Sequence, residues 1–240
     1  MILMDLHAHS SGISTCCLIC GKLAVDEAIS SGLGGFVLTN HYTEDYVGTQ
    51  RYPTYEDFAC EYVEEYRRIK EYGDGKGFSV LFGVEITSAW DDAVHLLVYG
   101  VDESFILRYP QICLFSLEEI SRTVHENGGI LVQAHPYRIQ SRLQDLKYLD
   151  GVEISCHPHL RYGGSFASEM KQIAEEKGKL LTCGGDYHGD VSYRPQCGVF
   201  VPKEVTDTVA LKDWLLAQKS LTLRVHEPGG DWHDVFYQRT

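Results

Sequence analysis

Met1-Ile2-Leu3-Met4-Asp5-Leu6-His7-Ala8-His9-Ser10 opens the chain and holds its most informative pattern. A short apolar run ends in two histidines two residues apart. Successive side chains of an extended strand point to opposite faces, so residues i and i+2 share one face. Ile2 to Leu6 reads as a strand, and His7 and His9 as two imidazoles on one face at its end. Such a pair can grip one metal ion, because imidazole is the commonest protein ligand for zinc and also suits iron and nickel.

Outward from this stretch the pattern alternates. Ala24 to Ser30 reads as a helix, stopped by Gly32 and Gly34. Gly35 to Thr39 reads as a second strand. Tyr55 to Tyr72 places Phe58, Tyr62, Tyr66 and Ile69 at helical spacing. Phe78 to Val84 and Val94 to Val101 read as strands. Ser116 to Asn127 reads as a helix, with Ser116 and Glu119 forming a capping box. Gly129 to Ala134 and Gly151 to Ser155 read as strands, Ser165 to Lys177 as a helix, Leu180 to Gly184 as a strand and Val209 to Gln218 as a helix. Short strands separated by helices argue for βα units and a parallel sheet. Seven of them without an intervening linker favour one α/β domain over residues 1–240, closed as a (β/α)7 TIM-like barrel. In such barrels the chemistry sits at the C-terminal ends of the strands.

The composition narrows the partners. The chain has 240 residues and a formal net charge of -13, which repels nucleic-acid backbones. It does not oppose a small phosphorylated substrate, because bound cations invert the local field. No apolar stretch is long enough to span a bilayer and the first residues carry no basic n-region, so a soluble, cytoplasmic protein is expected. Eight cysteines without secretory context are expected to be reduced thiols. Cys17-Leu-Ile-Cys20, with Cys16 beside it, is a lone CxxC; a structural zinc site usually needs two such pairs.

Chemical residues fall at the strand ends. His7 and His9 close the first strand, His41 follows the second and Glu85 the third. His135 follows the Gly129 to Ala134 strand, and Asp186 and His188 the Leu180 to Gly184 strand. His95 precedes its apolar run, which requires a strand of reversed or irregular placement. Six histidines, one glutamate and one aspartate exceed what a single ion needs and suit two or three. A carboxylate can bridge two ions where an imidazole cannot, so Glu85 and Asp186 are the candidate bridges, Glu85 the better of the two. Two ions about 3.5–4 Å apart can clamp the attacking and leaving oxygens of a phosphoryl transfer and lower the pKa of a shared water.

Asp-Leu-His-Ala-His-Ser, Leu-Thr-Asn-His-Tyr, Gly-Val-Glu-Ile-Thr, His95, Ala-His-Pro-Tyr-Arg and Gly-Asp-Tyr-His together resemble the ordered motifs of the PHP (polymerase and histidinol phosphatase) family. The resemblance covers His7 to His188. It implies a distorted seven-stranded (β/α) barrel, two or three divalent ions (zinc, iron or manganese) and phosphoester hydrolysis. It implies that His7, His9, Glu85 and Asp186 hold a first ion, that Glu85, His95 and His135 hold a second, and that His41 and His188 hold a third. Two positions depart from the family. Where a further His or Asp is usual after the first pair, this chain has Thr15, so a thiolate from Cys16 or Cys17 is the alternative third-site ligand. Asn40 replaces the usual Asp before His41 and can still hydrogen-bond, without the charge. Arg138, three residues after His135, and Arg194 are the candidate phosphate contacts, because a guanidinium fork binds phosphate bidentately. His188 is the candidate proton donor to the leaving group.

Other signals carry less. Cys156-His157-Pro158-His159 is expected to form a loop at the mouth of the barrel. His125 reads as structural, and His226 and His233 receive no role. Tyr42, Tyr137 and Tyr187 adjoin proposed ligands, and ordinary packing accounts for them. The expected substrate is a small phosphomonoester, such as histidinol phosphate, a sugar phosphate or a nucleotide. The rivals are a nuclease or phosphodiesterase, a protein-tyrosine phosphatase of the same family, and a non-catalytic metal-stabilised module.

Overall fold

The computed structural model describes residues 1–138, 140–157, 166–190, 193–226 and 231–239. In chain order the elements are β1 (Ile2–Ala8), α1 (Gly21–Ser30), β2 (Gly35–Leu38), β3 (His41–Tyr42), α2 (Tyr55–Asp74), β4 (Ser79–Phe82) and β5 (Val84–Thr87). They continue with β6 (His95–Tyr99), α3 (Ser104–Arg108), α4 (Leu117–Glu126), β7 (Ile130–Gln133), β8 (Gly151–Ser155), α5 (Phe166–Lys177) and β9 (Leu180–Gly184). The last are β10 (Gly198–Val201), α6 (Thr208–Ala217), β11 (Ser220–His226) and β12 (Trp232–Gln238).

The strands form a mixed α/β fold of two six-stranded sheets, ordered β12-β11-β10-β1-β2-β4 and β3-β5-β6-β7-β8-β9. Among the described residues neither sheet closes on itself, so the closed seven-stranded barrel expected from the sequence is not what the ladders form. The two sheets nevertheless share chain runs. β2 continues into β3 and β4 into β5, and each run pairs in parallel with the other, Leu38 opposite Phe82 and His41 opposite Glu85. The runs are interrupted at Thr39-Asn40 and at Gly83. Tyr62 of α2 spans both interruptions, its Oη lying 2.8 Å from the Asn40 carbonyl and 3.0 Å from the Gly83 carbonyl. The phenol thereby adds a donor at both interruptions; the Asn40 carbonyl also accepts the Glu85 amide at 3.2 Å. A single parallel bridge links Ala8 at the end of β1 to Tyr187 beyond β9.

The parallel strands bury both faces, as strands covered by helices on one side and by core on the other must. Phe36, Leu38, Val80, Phe82, Leu96 and Val98 pack with the α2 residues Phe58, Tyr62 and Ile69. The intervening Val37, Leu81, Leu97 and Tyr99 join Met4, Leu6, Val132 and Val152 in the other core. Thr54 caps α2 by accepting the Asp57 amide, and Ser116 and Glu119 make the expected reciprocal capping box on α4.

Two features of the sheets depart from a run of parallel βα units, the first of them the reversed or irregular strand that His95 requires. β6 runs antiparallel to both β5 and β7, with Thr87 opposite His95. The start of β6 therefore lies where the parallel strands end, which is how His95 reaches the same end of the sheet as the other histidines. β10, β11 and β12 form an antiparallel extension alongside β1. Leu221, Leu223 and Val225 alternate inward along β11, a period-2 signal present in the sequence but standing after the last βα unit. No described helix is long and apolar enough to cross a membrane.

Candidate metal centre

Glu85 is the hub of the site. Its carboxylate is fully buried and lies 3.2 Å from His7 Nε2, 3.4 Å from His9 Nε2 and 2.6 Å from His41 Nδ1. It lies 2.9 Å from His95 Nδ1 and 3.2 Å from His135 Nε2. The five rings close a circuit around it. Centroid separations are 5.0 Å for His7–His9, 4.5 Å for His9–His41 and 5.2 Å for His41–His95. The circuit closes at 5.0 Å for His95–His135 and 5.7 Å for His135–His7. Asp186 joins on the β9 side, 3.1 Å from His9 Nε2 and 3.3 Å from His7 Nε2. His188 stacks on His9 at 4.2 Å.

Three overlapping donor groups result, each with its atoms within 4.8 Å of one another: His7, His9, Glu85 and Asp186; His41, Glu85 and His95; and His9, His41 and His188. The first has the membership expected of a first ion. In the second His41 stands where His135 was expected, although His135 Nε2 still reaches Glu85. Glu85 belongs to two groups, the position of a bridge.

The donor chemistry fits divalent cations. His7 Nε2, His9 Nε2, His41 Nδ1, Glu85 Oε2 and Asp186 Oδ1 are buried and face one another at 2.6–3.4 Å without hydrogen-bond geometry, and His135 Nδ1 is buried with no hydrogen bond. Leaving so many buried polar atoms unpaired is costly, and coordination would use those lone pairs. The opposite ring nitrogens are held. His7 Nδ1 lies 2.9 Å from Glu153 Oε1, and His9 Nδ1 lies 3.1 Å from Ser14 Oγ. With the proton on Nδ1, the Nε2 lone pair of each ring is left for an ion. Neither Glu153 nor Ser14 was read as functional from the sequence. Glu153 was visible as a carboxylate at mid-strand in β8, where an apolar residue is ordinary.

Electrostatics follow the same arrangement. Burial would raise the carboxyls of Glu85 and Asp186, but the imidazoles of His41 and His7 hold Glu85, and those of His7 and His188 hold Asp186, well below the usual carboxylate range. Burial would lower His7, yet Glu153, Glu85 and Asp186 raise it well above the usual histidine value. Burial with the neighbouring His188 and His41 pushes His9 well down, and burial takes His95 to about 4.

The backbone is strained at two of these residues. His135 has φ 27° and Asp186 φ 49°, a region that non-glycine residues rarely occupy. The His135 amide donates to Glu153 Oε2 at 3.1 Å, and the Asp186 amide to the His7 carbonyl at 2.8 Å, which holds both turns.

Asn40 organises the β1 end. Its Oδ1 accepts from the Ser10 amide at 2.7 Å and from Ser14 Oγ at 2.9 Å. Ser14 Oγ in turn accepts the His41 amide at 3.0 Å. The side chain thus retains a role in orienting His9 and His41 without a charge.

A cavity of about 640 Å³ opens over the histidines, lined by Cys16, His41, His95, Arg138, His157, Asp186 and His188 among others. Arg138 is the one arginine or lysine among the described residues lining it. Arg194 is not among the described residues lining it; its guanidinium is exposed and lies 3.6 Å from Glu27 of α1. His157 lines the mouth as expected, whereas Pro158 and His159 lie outside the described residues. His125 pairs with Asp150 at 2.8 Å on the surface, in line with a structural role.

Comparison with known proteins returns no match to a protein family and no match to a curated protein. Solved structures do match. One is a two-domain protein from Bacteroides vulgatus containing a predicted PHP-like metal-dependent phosphoesterase (15% identity, TM-score 0.63, 99% of this chain and 83% of that one). Another is a protein from Bifidobacterium adolescentis proposed to be a metal-dependent phosphoesterase (17%, 0.55, 89% and 95%). A third is the lesion-specific endonuclease EndoQ from Pyrococcus furiosus (11%, 0.52, 93% and 52%). At these identities the likeness is one of fold: this chain shares the fold of proteins named as PHP-like phosphoesterases.

Proposed function

We propose that the chain is a PHP-type, metal-dependent phosphoesterase with the TIM-like architecture of that family, acting on a small phosphomonoester. The observation that carries this reading is Glu85, buried at the centre of five imidazoles, four of which (His7, His9, His41 and His135) keep a buried ring nitrogen without a hydrogen bond. Bound divalent ions would stabilise charge developing on the phosphoryl oxygens and acidify an attacking water. His7, His9, Glu85 and Asp186 would hold one ion. Glu85 would share a second with His95 and His135, which leaves His41 and His188 for a third.

The chain's own residues supply the rest. Arg138 lines the cavity and offers a planar fork of N–H donors to two phosphate oxygens. His188 places Nδ1 2.8 Å from the Asp186 carbonyl, so Nε2 is left for an ion or, when protonated, for the leaving oxygen. The cavity volume is in the range that encloses small molecules. A net charge of -13 opposes a long polyanion.

The test is phosphate release from sugar, amino-alcohol and nucleotide monophosphates by protein loaded with manganese, iron or zinc. Release no greater than that of a His7→Ala, His9→Ala variant removes the reading. Cleavage of an oligonucleotide in place of the monoesters would move it to the phosphodiesterase activity that the endonuclease neighbour's name suggests. Arg138→Ala should raise KM more than it lowers kcat.

A further inference from the structure

Thr15, Cys16, Cys17 and Cys20 lie in the loop between β1 and α1, and the four side chains meet different surroundings. Thr15 is exposed, and its amide donates to Tyr46 Oη at 3.1 Å. Cys17 is buried with Ile19, Ala24, Tyr187 and Tyr193, and its thiol donates to the Ile19 carbonyl at 3.5 Å. Cys20 precedes α1 as its N-cap and is exposed. Cys16, also exposed, is the one of the four that lines the cavity over the histidines, in the same wall as His41 and His188.

The loop is tied on both sides of Cys16. Ser14 is buried in the Asn40 network, and the Cys17 amide donates to the Ser14 carbonyl at 3.0 Å. Two residues past Cys16, the Leu18 amide donates to the His188 carbonyl at 2.8 Å. The backbone on either side of Cys16 is therefore fastened to the two segments that carry His41 and His188. The donor atoms of His9, His41 and His188 already lie within 4.8 Å of one another. A sulfur from the same cavity wall would add a thiolate to the imidazoles of His41 and His188, an ordinary composition for zinc.

We infer that Cys16 is the sulfur ligand of a third ion held with His41 and His188, which makes that position softer than the carboxylate-bridged pair beneath it. This rests on the metal reading above. Thiolate and imidazole donors select zinc or iron(II) over manganese or magnesium, whereas carboxylate-rich positions take manganese readily. The third position would thus differ from the other two in its choice of metal.

Cobalt(II) tests this without reference to turnover, because a cobalt–thiolate bond gives an intense near-ultraviolet charge-transfer band that imidazole and carboxylate ligands lack. Metal-free protein titrated with cobalt should develop the band. Cys17→Ser and Cys20→Ser should keep it. Cys16→Ser should lose it and bind one ion fewer per chain, while retaining the visible bands of cobalt at the remaining positions. Cys16→His should recover the third ion without the band, which separates lost ligation from lost folding. A band that survives Cys16→Ser overturns the inference. So does a band lost only on Cys183→Ser, since the sulfur would then belong to the buried Cys156, Cys183 and Cys197 group. Full cobalt occupancy with no band also overturns it. A protein that shows the Cys16-dependent band yet releases no phosphate from any substrate supports this inference and removes the phosphoesterase reading alone.

Discussion

Glu153 Oε1 stands 2.9 Å from His7 Nδ1, with both side chains fully buried. The other oxygen accepts the His135 amide at 3.1 Å. One carboxylate thus fixes the tautomer and direction of one candidate ligand and the strained backbone of another. Glu153→Gln keeps the shape and removes the charge. Loss of such an outer partner typically costs about 10–100-fold in metal affinity, so competition against a chelator should show a drop of that order with little change in the circular dichroism spectrum. Unchanged affinity would deny Glu153 a part in ligand orientation.

Gly184 lies against the same pair. A Cβ there would meet the His7 Cβ at 2.3 Å and Glu153 Oε1 at 2.8 Å. Overpacking of this kind costs about 1–3 kcal/mol, and each kcal/mol lowers Tm by about 2–4 °C in a domain of this size. Gly184→Ala should therefore melt several degrees lower and bind metal more weakly, because the displaced group is a ligand. A variant with the parent's Tm would show that β9 can shift at no cost.

Asn40→Ala leaves the Ser10 amide and the Ser14 hydroxyl without their acceptor. A buried group stranded in this way costs about 1–3 kcal/mol. Thermal unfolding of the metal-free protein should register that loss. Metal affinity should fall too, since Ser14 would be free to turn away from His9 Nδ1.

Metal uptake should strengthen as pH rises. The carboxylates Glu153, Glu85 and Asp186 outweigh burial at His7, and Glu85 does so at His41, so both histidines hold protons above their usual value. An ion must displace those protons. Calorimetry in buffers of different ionisation heat should detect proton release, with affinity increasing from about pH 6 to 8. The sign for folding is the reverse. A histidine whose folded pKa is raised stabilises the metal-free chain fully below the usual 6.5 and ceases to do so as pH climbs through the higher folded value. Chelator-treated protein should lose stability toward alkaline pH while metal-loaded protein does not; parallel melting curves would contradict this.

The amino-acid order by itself determined the βα alternation and the set of donors at the strand ends, because periodicity and capping are written within a few residues. β8 and β9 span the same residues in the sequence reading and in the structure, and β2 and α4 differ by only one or two residues at an end. It also determined that His95 needed an exceptional strand. Only the tertiary structure decided that β6 is reversed, that five imidazoles ring Glu85, that Arg194 turns to Glu27, and that Cys16 and not Cys17 lines the cavity over the histidines. It also decided that the ladders form two sheets and that β10, β11 and β12 extend one of them. The physical reason is range. A strand's existence depends on neighbours in the chain, whereas its direction, and the atom that a carboxylate 146 residues away presents to His7, depend on pairing that no local pattern records.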